Sequence, residues 1–156
     1  MSELEPQVQP PPPGDVLRVL LSDETWAVAA YERLLARGDV GELEHKLRYC
    51  LSSHAGRRQA LIEELGQAER RHGAASDPTP SFQPLDAHAD LDLRSVLDAL
   101  SECEAAALER CRAATGAATG ELHELLSMRV LPAQVQTSDI SASLASTYRA
   151  THDSVA

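Results

Sequence analysis

Four stretches of the chain repeat apolar residues at spacings of three and four, the mark of amphipathic helices, and the segments between them carry residues that stop helices. The first run follows Asp15, a residue suited to an N-cap. It places Leu17, Leu20, Leu21, Val28, Tyr31 and Leu35 on one stripe and ends at Gly38. Asp39 can cap the second run, where Leu43, Leu47, Cys50, Leu51, His54, Arg58, Leu61, Ile62 and Leu65 share a stripe that reaches about His72. So short a junction predicts an antiparallel hairpin. Residues 73–90 hold three prolines and no periodicity, which predicts a long crossover and permits the third helix to start at the same end as the first.

The third helix is predicted from about Leu91 to Ala114, with Val96, Leu97, Leu100, Ala107, Leu108 and Cys111 on its stripe. The fourth has Leu122, Leu125, Leu126, Val130, Ala133, Ile140 and Leu144, and Pro132 should kink or interrupt it because proline lacks the amide donor. The expected architecture is all-α: hairpin 15–72, crossover 73–90 and hairpin 91–148 in one four-helix bundle. Residues 1–14 are expected to form a disordered proline-rich arm, and 149–156 a flexible tail. A shift of 80 residues carries Leu17, Leu20 and Glu24 onto Leu97, Leu100 and Glu104. A shift of 79 carries Leu43, Leu47, Leu51, Leu61 and Leu65 onto Leu122, Leu126, Val130, Ile140 and Leu144, so the halves look related.

Two positions break the apolar pattern. Glu24 lies on the first stripe and Glu104 on the third, where a carboxylate is costly unless it binds a metal, pairs with a cation or stays protonated. Residues equally far from a hairpin turn lie side by side, at about 1.5 Å rise per residue. This puts Glu24 beside His54, and Glu104 within a turn of Arg129 and Gln134.

Two inward glutamates on the first and third helices, with histidine on the second, are the skeleton of a di-metal carboxylate site. On the stretches LLSDETWAVAAYERLL, HAGRRQALIEEL, LSECEAAALERC and RVLPAQVQTSDISASL, the chain resembles the ferritin-like superfamily, in particular its small bacterial bundles of unknown function. The resemblance implies a ferritin-like four-helix bundle, and it implies Glu24, His54 and Glu104 as metal ligands for iron or another divalent ion. Leu51 stands three before His54 where a glutamate is required, and helix four offers Leu131 and Gln134, or Val130 and Ala133, in place of Glu-x-x-His. Three candidate ligands are too few for a pair of irons. Arg58 and Arg129 supply a metal-free alternative, in which guanidiniums neutralise the two carboxylates.

Composition narrows the rest. A net charge of −10 with no basic cluster speaks against nucleic acid. No run of about 20 apolar residues is present to span a membrane, and the opening segment lacks the pattern of a signal peptide, so a cytoplasmic location is expected. Cys50, Cys103 and Cys111 read as reduced thiols in helices. His45, His72, His88, His123 and His152, and the pairs Arg57-Arg58 and Arg70-Arg71, read as solvated or ion-paired positions. Val19, Trp26, Ala29 and Ala30 give helix one a second apolar face, which suggests a homodimer through that helix. No catalytic residue and no cofactor are expected. The leading expectation is a metal-degenerate bundle acting in assembly or interaction, with a link to stress hinted by the resemblance. The alternatives are an iron-binding protein for oxygen or peroxide chemistry or storage, and an adaptor that takes a partner helix into its groove.

Overall fold

The computed structural model describes residues 9–74, 82–87 and 90–154. Among these the regular structure is helical throughout: α1 (Pro13–Ala36), α2 (Glu44–His72), α3 (Leu93–Ala117), α4 (Gly120–Leu125) and α5 (Leu131–Asp153). The greater part of the expected 1–14 arm lies outside the described residues. The helix ends differ from expectation for local reasons. Pro13 starts α1 because its missing N–H is not needed in a first turn, leaving Asp15 inside the helix. Asp39 is drawn away from capping α2 by the Arg37 guanidinium, which donates to it from Nε and Nη2 at 2.9 and 2.8 Å. A single 3₁₀ turn, Gly41–Leu43, leads into α2 instead. Asp92 caps α3 by accepting the Arg94 amide.

Hairpin α1–α2 and hairpin α3–α5 form the two tightest helix pairs, and α1 against α3 and α2 against α5 close the bundle. Polar pairs fix the directions. Arg18–Glu69 joins α1 to α2, Asp23–Arg110 joins α1 to α3, and Arg71–Glu121 joins α2 to the α4 end of the fourth helix. Arg94–Asp153 and Asp98–Arg149 join α3 to α5. In every neighbouring pair low residue numbers meet high ones, so all four neighbours are antiparallel. The third helix therefore begins where α1 ends, not where α1 starts, and the connection runs the length of the bundle. Its described part follows α1. The Trp26 indole N–H donates to the Gln83 carbonyl at 2.8 Å, and Arg37 reaches the Leu91 carbonyl at 2.8 Å.

This connection also packs on part of the second apolar face of α1. Phe82 packs on Trp26 with ring centroids 4.8 Å apart, the Arg110 guanidinium lies 4.4 Å above Phe82, and Leu85 and Ala87 are buried with Ala30 in the core. Of the face that suggested a dimer, Trp26 is thus packed by the connection and Ala30 is buried, while Val19 and Ala29 stay half-buried. α5 continues into the expected tail as far as Asp153, held by the Arg149 and Asp153 ion pairs and by Tyr148 stacked on His152.

The fourth helix is not interrupted. Between α4 and α5 the residues Leu126–Val130 form one π turn, in which the Leu131 amide reaches back five residues to the Leu126 carbonyl. The helix accommodates one extra residue directly before Pro132, where an amide donor is missing anyway. The burial pattern shows the consequence. Leu122, Leu126, Val130 and Gln134 all face inward at steps of four, although three such steps in a straight α-helix drift by about 120°. The π turn absorbs much of that drift. Beyond it the inward residues are Gln134, Thr137, Ser138, Ser141, Leu144 and Ala145, whereas Ala133 and Ile140 are only half-buried. The repeat relation follows suit: past the π turn the offset from α2 is 80, pairing buried His54, Arg57, Leu61 and Leu65 with buried Gln134, Thr137, Ser141 and Ala145.

Deleting Met128, the exposed residue of the π turn, together with Pro132→Ala should convert the fourth helix to regular α and leave both ends in register. Thermal unfolding by circular dichroism should stay near that of the parent chain. Deleting exposed Asp139 should rotate Leu144 and Ala145 out of the core by about 100° and lower Tm by about 5–15 °C. Equal losses for the two deletions would contradict the register assigned to the π turn.

Candidate functional site

The core is split. One apolar cluster, around Tyr31, Leu34, Leu47, Leu97, Leu100 and Leu144, lies towards the end where α1 finishes. The other, around Leu17, Leu20, Leu61, Leu126 and Val130, lies towards the end where α1 begins. Between them the stripes of all four helices turn polar at the same level. Glu24 from α1, His54 and Arg57 from α2, Glu104 from α3, and Gln134 and Thr137 from α5 are all buried there, His54 and Glu104 at 1% exposure each and Arg57 at 5%. Each sits on its helix at the three-or-four spacing that continues the apolar stripe, which is what delivers a polar side chain to the bundle axis.

The imidazole of His54 is suspended between the two acids. Its Nδ1 lies 2.7 Å from Glu24 Oε2 and its Nε2 lies 2.7 Å from Glu104 Oε1, so the protonated ring donates to both. Arg57 donates from Nε to Glu24 Oε1 at 2.7 Å and from Nη1 to Ser53 Oγ at 2.7 Å. Its Nη2 donates to Gln134 Oε1 at 3.1 Å and Thr137 Oγ1 at 3.2 Å, and stands 2.7 Å from His54 Nδ1. Tyr31 Oη donates to Glu104 Oε1 at 2.6 Å, and the Gln134 amide donates to Glu104 Oε2 at 2.8 Å. Tyr31 also stacks on the His54 ring, with centroids 5.3 Å apart. With His54 protonated, the two carboxylates face one imidazolium and one guanidinium, and the layer is neutral.

Electrostatics favours that state. Burial alone pushes His54 down, but its hydrogen bonds to Glu104 and Glu24 and their charges outweigh burial and leave its pKa raised. Burial pushes Glu104 up, and the hydrogen bond and charge of His54, with donations from Tyr31 and Gln134, bring it below its ordinary value. Tyr31 is held well above 10 by burial and by the adjacent Glu104 charge, which keeps it a donor. Burial raises the thiols of Cys50 and Cys111 to about 11, so neither is a thiolate near neutrality. All three cysteines are free.

The sequence located Glu24, His54, Glu104 and Gln134, and the structure brings all four together. It misplaced the cations. Arg58 is half-buried and Arg129 exposed; neither enters the layer, and Arg57 does. Buried positions on α2 run Leu47, Cys50, His54, Arg57, Leu61, Leu65 and Ala68, alternating threes and fours as far as Leu61, and this selects Arg57 at three from His54 over Arg58 at four. Ile62, placed on the same stripe as Arg58, is 42% exposed for the same reason. Tyr31 was legible as a stripe residue but not as a hydrogen-bond donor. Thr137 was missed because apolar positions were sought beyond Pro132. Elsewhere His45, His72, His123 and His152 are exposed as expected, and His88 lies outside the described residues.

The donor set does not fit a di-metal centre. Such a centre needs Glu-x-x-His on the second and fourth helices. At the level of the two glutamates, α2 presents His54 and Arg57 at that i, i+3 spacing, and α5 presents Gln134 and Thr137. The imidazole nitrogens point at different carboxylates rather than at a common point, and a guanidinium fills the space beside them. Among the described residues no group of three or more His, Cys, Asp or Glu side chains is arranged to hold a metal ion. Removing the guanidinium while the acids stay buried costs about 3–5 kcal/mol, which is the scale on which Arg57 matters. No protein-family profile, curated protein or solved structure matches the chain.

The pKa directions fix a pH profile. His54 is raised above its ordinary 6.5, so its contribution to stability is complete below that value and is lost as pH rises through the folded pKa. Glu104 is lowered below 4.5, so its contribution is complete above that value and is lost as pH falls through the folded pKa. Urea midpoints should therefore be greatest between about pH 4.5 and 6.5 and decline on the alkaline side, and His54→Gln should remove the alkaline decline. A wild-type midpoint that holds level or rises from pH 6.5 to 9 would contradict the imidazolium.

Proposed function

We propose that the chain is a metal-free member of the ferritin-like bundle architecture, in which His54 and Arg57 take the place of bound cations and the role is assembly or interaction rather than metal chemistry. The crossover that runs the bundle's length, the single buried glutamates of α1 and α3, and the i, i+3 pairs of α2 and the fourth helix support this architecture. The observation that carries the proposal is the Arg57 guanidinium, buried and bonded to Glu24 of α1 and to Gln134 and Thr137 of α5. A resident cation supplied by the chain leaves no charge for an iron to neutralise.

An interaction role draws support from the surface. Tyr49, Ile62 and Met128 are large apolar side chains left exposed on α2 and the π turn. Among the described residues no helix is long and apolar enough to cross a membrane. Three free cysteines accord with a reducing compartment and support a cytoplasmic setting for the proposed role.

Elemental analysis of protein purified without chelators should find no stoichiometric metal, and the melting temperature should be the same with and without EDTA. Stoichiometric iron or another divalent ion in the wild-type chain, lost on Glu24→Ala, would overturn the proposal in favour of a reduced metal site at Glu24, His54 and Glu104.

A further inference from the structure

The polar atoms around Arg57 belong to four helix positions fixed independently of it. Glu24 is presented by α1. Gln134 is locked by its own amide, whose Nε2 donates to Glu104 Oε2, so that its Oε1 must face the guanidinium. Thr137 lies one turn further along α5 on the same face and accepts from the same nitrogen. His54 is held from behind, because Glu104 Oε1 bonds its Nε2 and Tyr31 bonds that same oxygen. Its Nδ1 is left directed at Glu24 and at Arg57 Nη2, each 2.7 Å away. Gln134 Oε1 and Thr137 Oγ1 thus accept from Arg57 Nη2 at 3.1 and 3.2 Å and Glu24 Oε1 accepts from its Nε at 2.7 Å, while His54 Nδ1 lies 2.7 Å from Nη2 and becomes an acceptor only on losing its proton.

We infer that this is a cation cage occupied by the chain's own Arg57, and that vacating it creates a site for a single divalent ion bound by His54 Nδ1, Glu24 and Gln134 Oε1. The inference rests on the metal-free character proposed above. It differs from a di-metal centre in nuclearity and in the part given to Glu104. That carboxylate is not a ligand here: it holds the far nitrogen of His54, the carboxylate–histidine–metal arrangement that orients and strengthens an imidazole ligand. The donor set of one imidazole, one carboxylate and neutral oxygens suits zinc or cobalt. Those ions need ligand distances of about 2.0–2.2 Å, so the side chains must close by roughly 0.5–1 Å on the vacated point, and binding displaces the proton on His54 Nδ1. Loss of the guanidinium leaves two buried carboxylates short of one positive charge, and the metal restores it.

The test is a titration of the full-length Arg57→Ala protein with Co²⁺, read by visible d–d absorption, and with Zn²⁺, read by calorimetry, beside the wild type. Arg57→Ala should take up one equivalent where the wild type takes up none, and its melting temperature should rise on saturation. Adding Glu24→Gln should abolish uptake. Adding Glu104→Gln should weaken it by about 10–100-fold while the stoichiometry stays at one, the signature of an outer partner. A folded Arg57→Ala protein that binds no more metal than wild type, or one whose binding is indifferent to Glu24→Gln, overturns the inference. If Arg57→Ala does not fold with or without the ions, Arg57→Gln carries the same two outcomes. A metal-free wild type with no uptake by the variants sinks only the cage; stoichiometric metal in the wild type, lost on Glu24→Ala, sinks the proposal on which it rests.

Discussion

Glu24 and Glu104 are brought by antiparallel helices to one level of a closed bundle, and their negative charge must be answered there because solvent does not reach it. Much of the rest of the structure follows from the answer. Imidazole is the one side chain that can present a proton on each of two opposed edges, so His54 spans the gap between the acids, and Arg57 one turn away completes the neutralisation from the same helix. The residual lone pairs and protons are then taken by Tyr31, Ser53, Gln134 and Thr137. Such a layer adds little net stability over an apolar one, since desolvation opposes attraction, but a hairpin docked one turn out of place would leave charges unpaired. Its contribution is to fix how the two hairpins meet.

The fourth helix is shaped by the same requirement. An unbroken α-helix through Leu122, Leu126 and Val130 would carry its inward face away from the axis before reaching the layer. The π turn at Leu126–Val130 brings Gln134 and Thr137 onto Arg57, and Pro132 sits where the widened turn ends. Small polar residues follow, Ser138 and Ser141, and Ser141 Oγ donates to the Ser138 carbonyl of its own helix. They let the helix lie close to its neighbours without adding further charge to the interior.

Much of this was legible in the residues. The four helical stripes, the long connection and the two inward glutamates follow from spacing alone, and counting residues from the α1–α2 turn was enough to set His54 beside Glu24. What was not legible depended on rotation about a helix axis. Arg57 and Arg58 both lie within reach of the inward face, and only the alternation of threes and fours from Leu47 to Leu61 separates them. Ala133 and Ile140 were placed on the inward face and Thr137 was passed over because hydrophobicity was followed past the turn where the helix takes in an extra residue. The covering of Trp26 by Phe82 and Gln83 could not be read either, since the connection has no periodicity to show which face it follows.

The central claim concerns two protons on one ring, and side-chain ¹⁵N–¹H correlation spectroscopy of the full-length protein observes them directly. At pH 7 His54 should show protons on both Nδ1 and Nε2, slow to exchange with solvent, with nitrogen shifts of an imidazolium. A single ring N–H with one bare nitrogen, or a nitrogen shift that moves when EDTA is added, would contradict an imidazolium bound between Glu24 and Glu104.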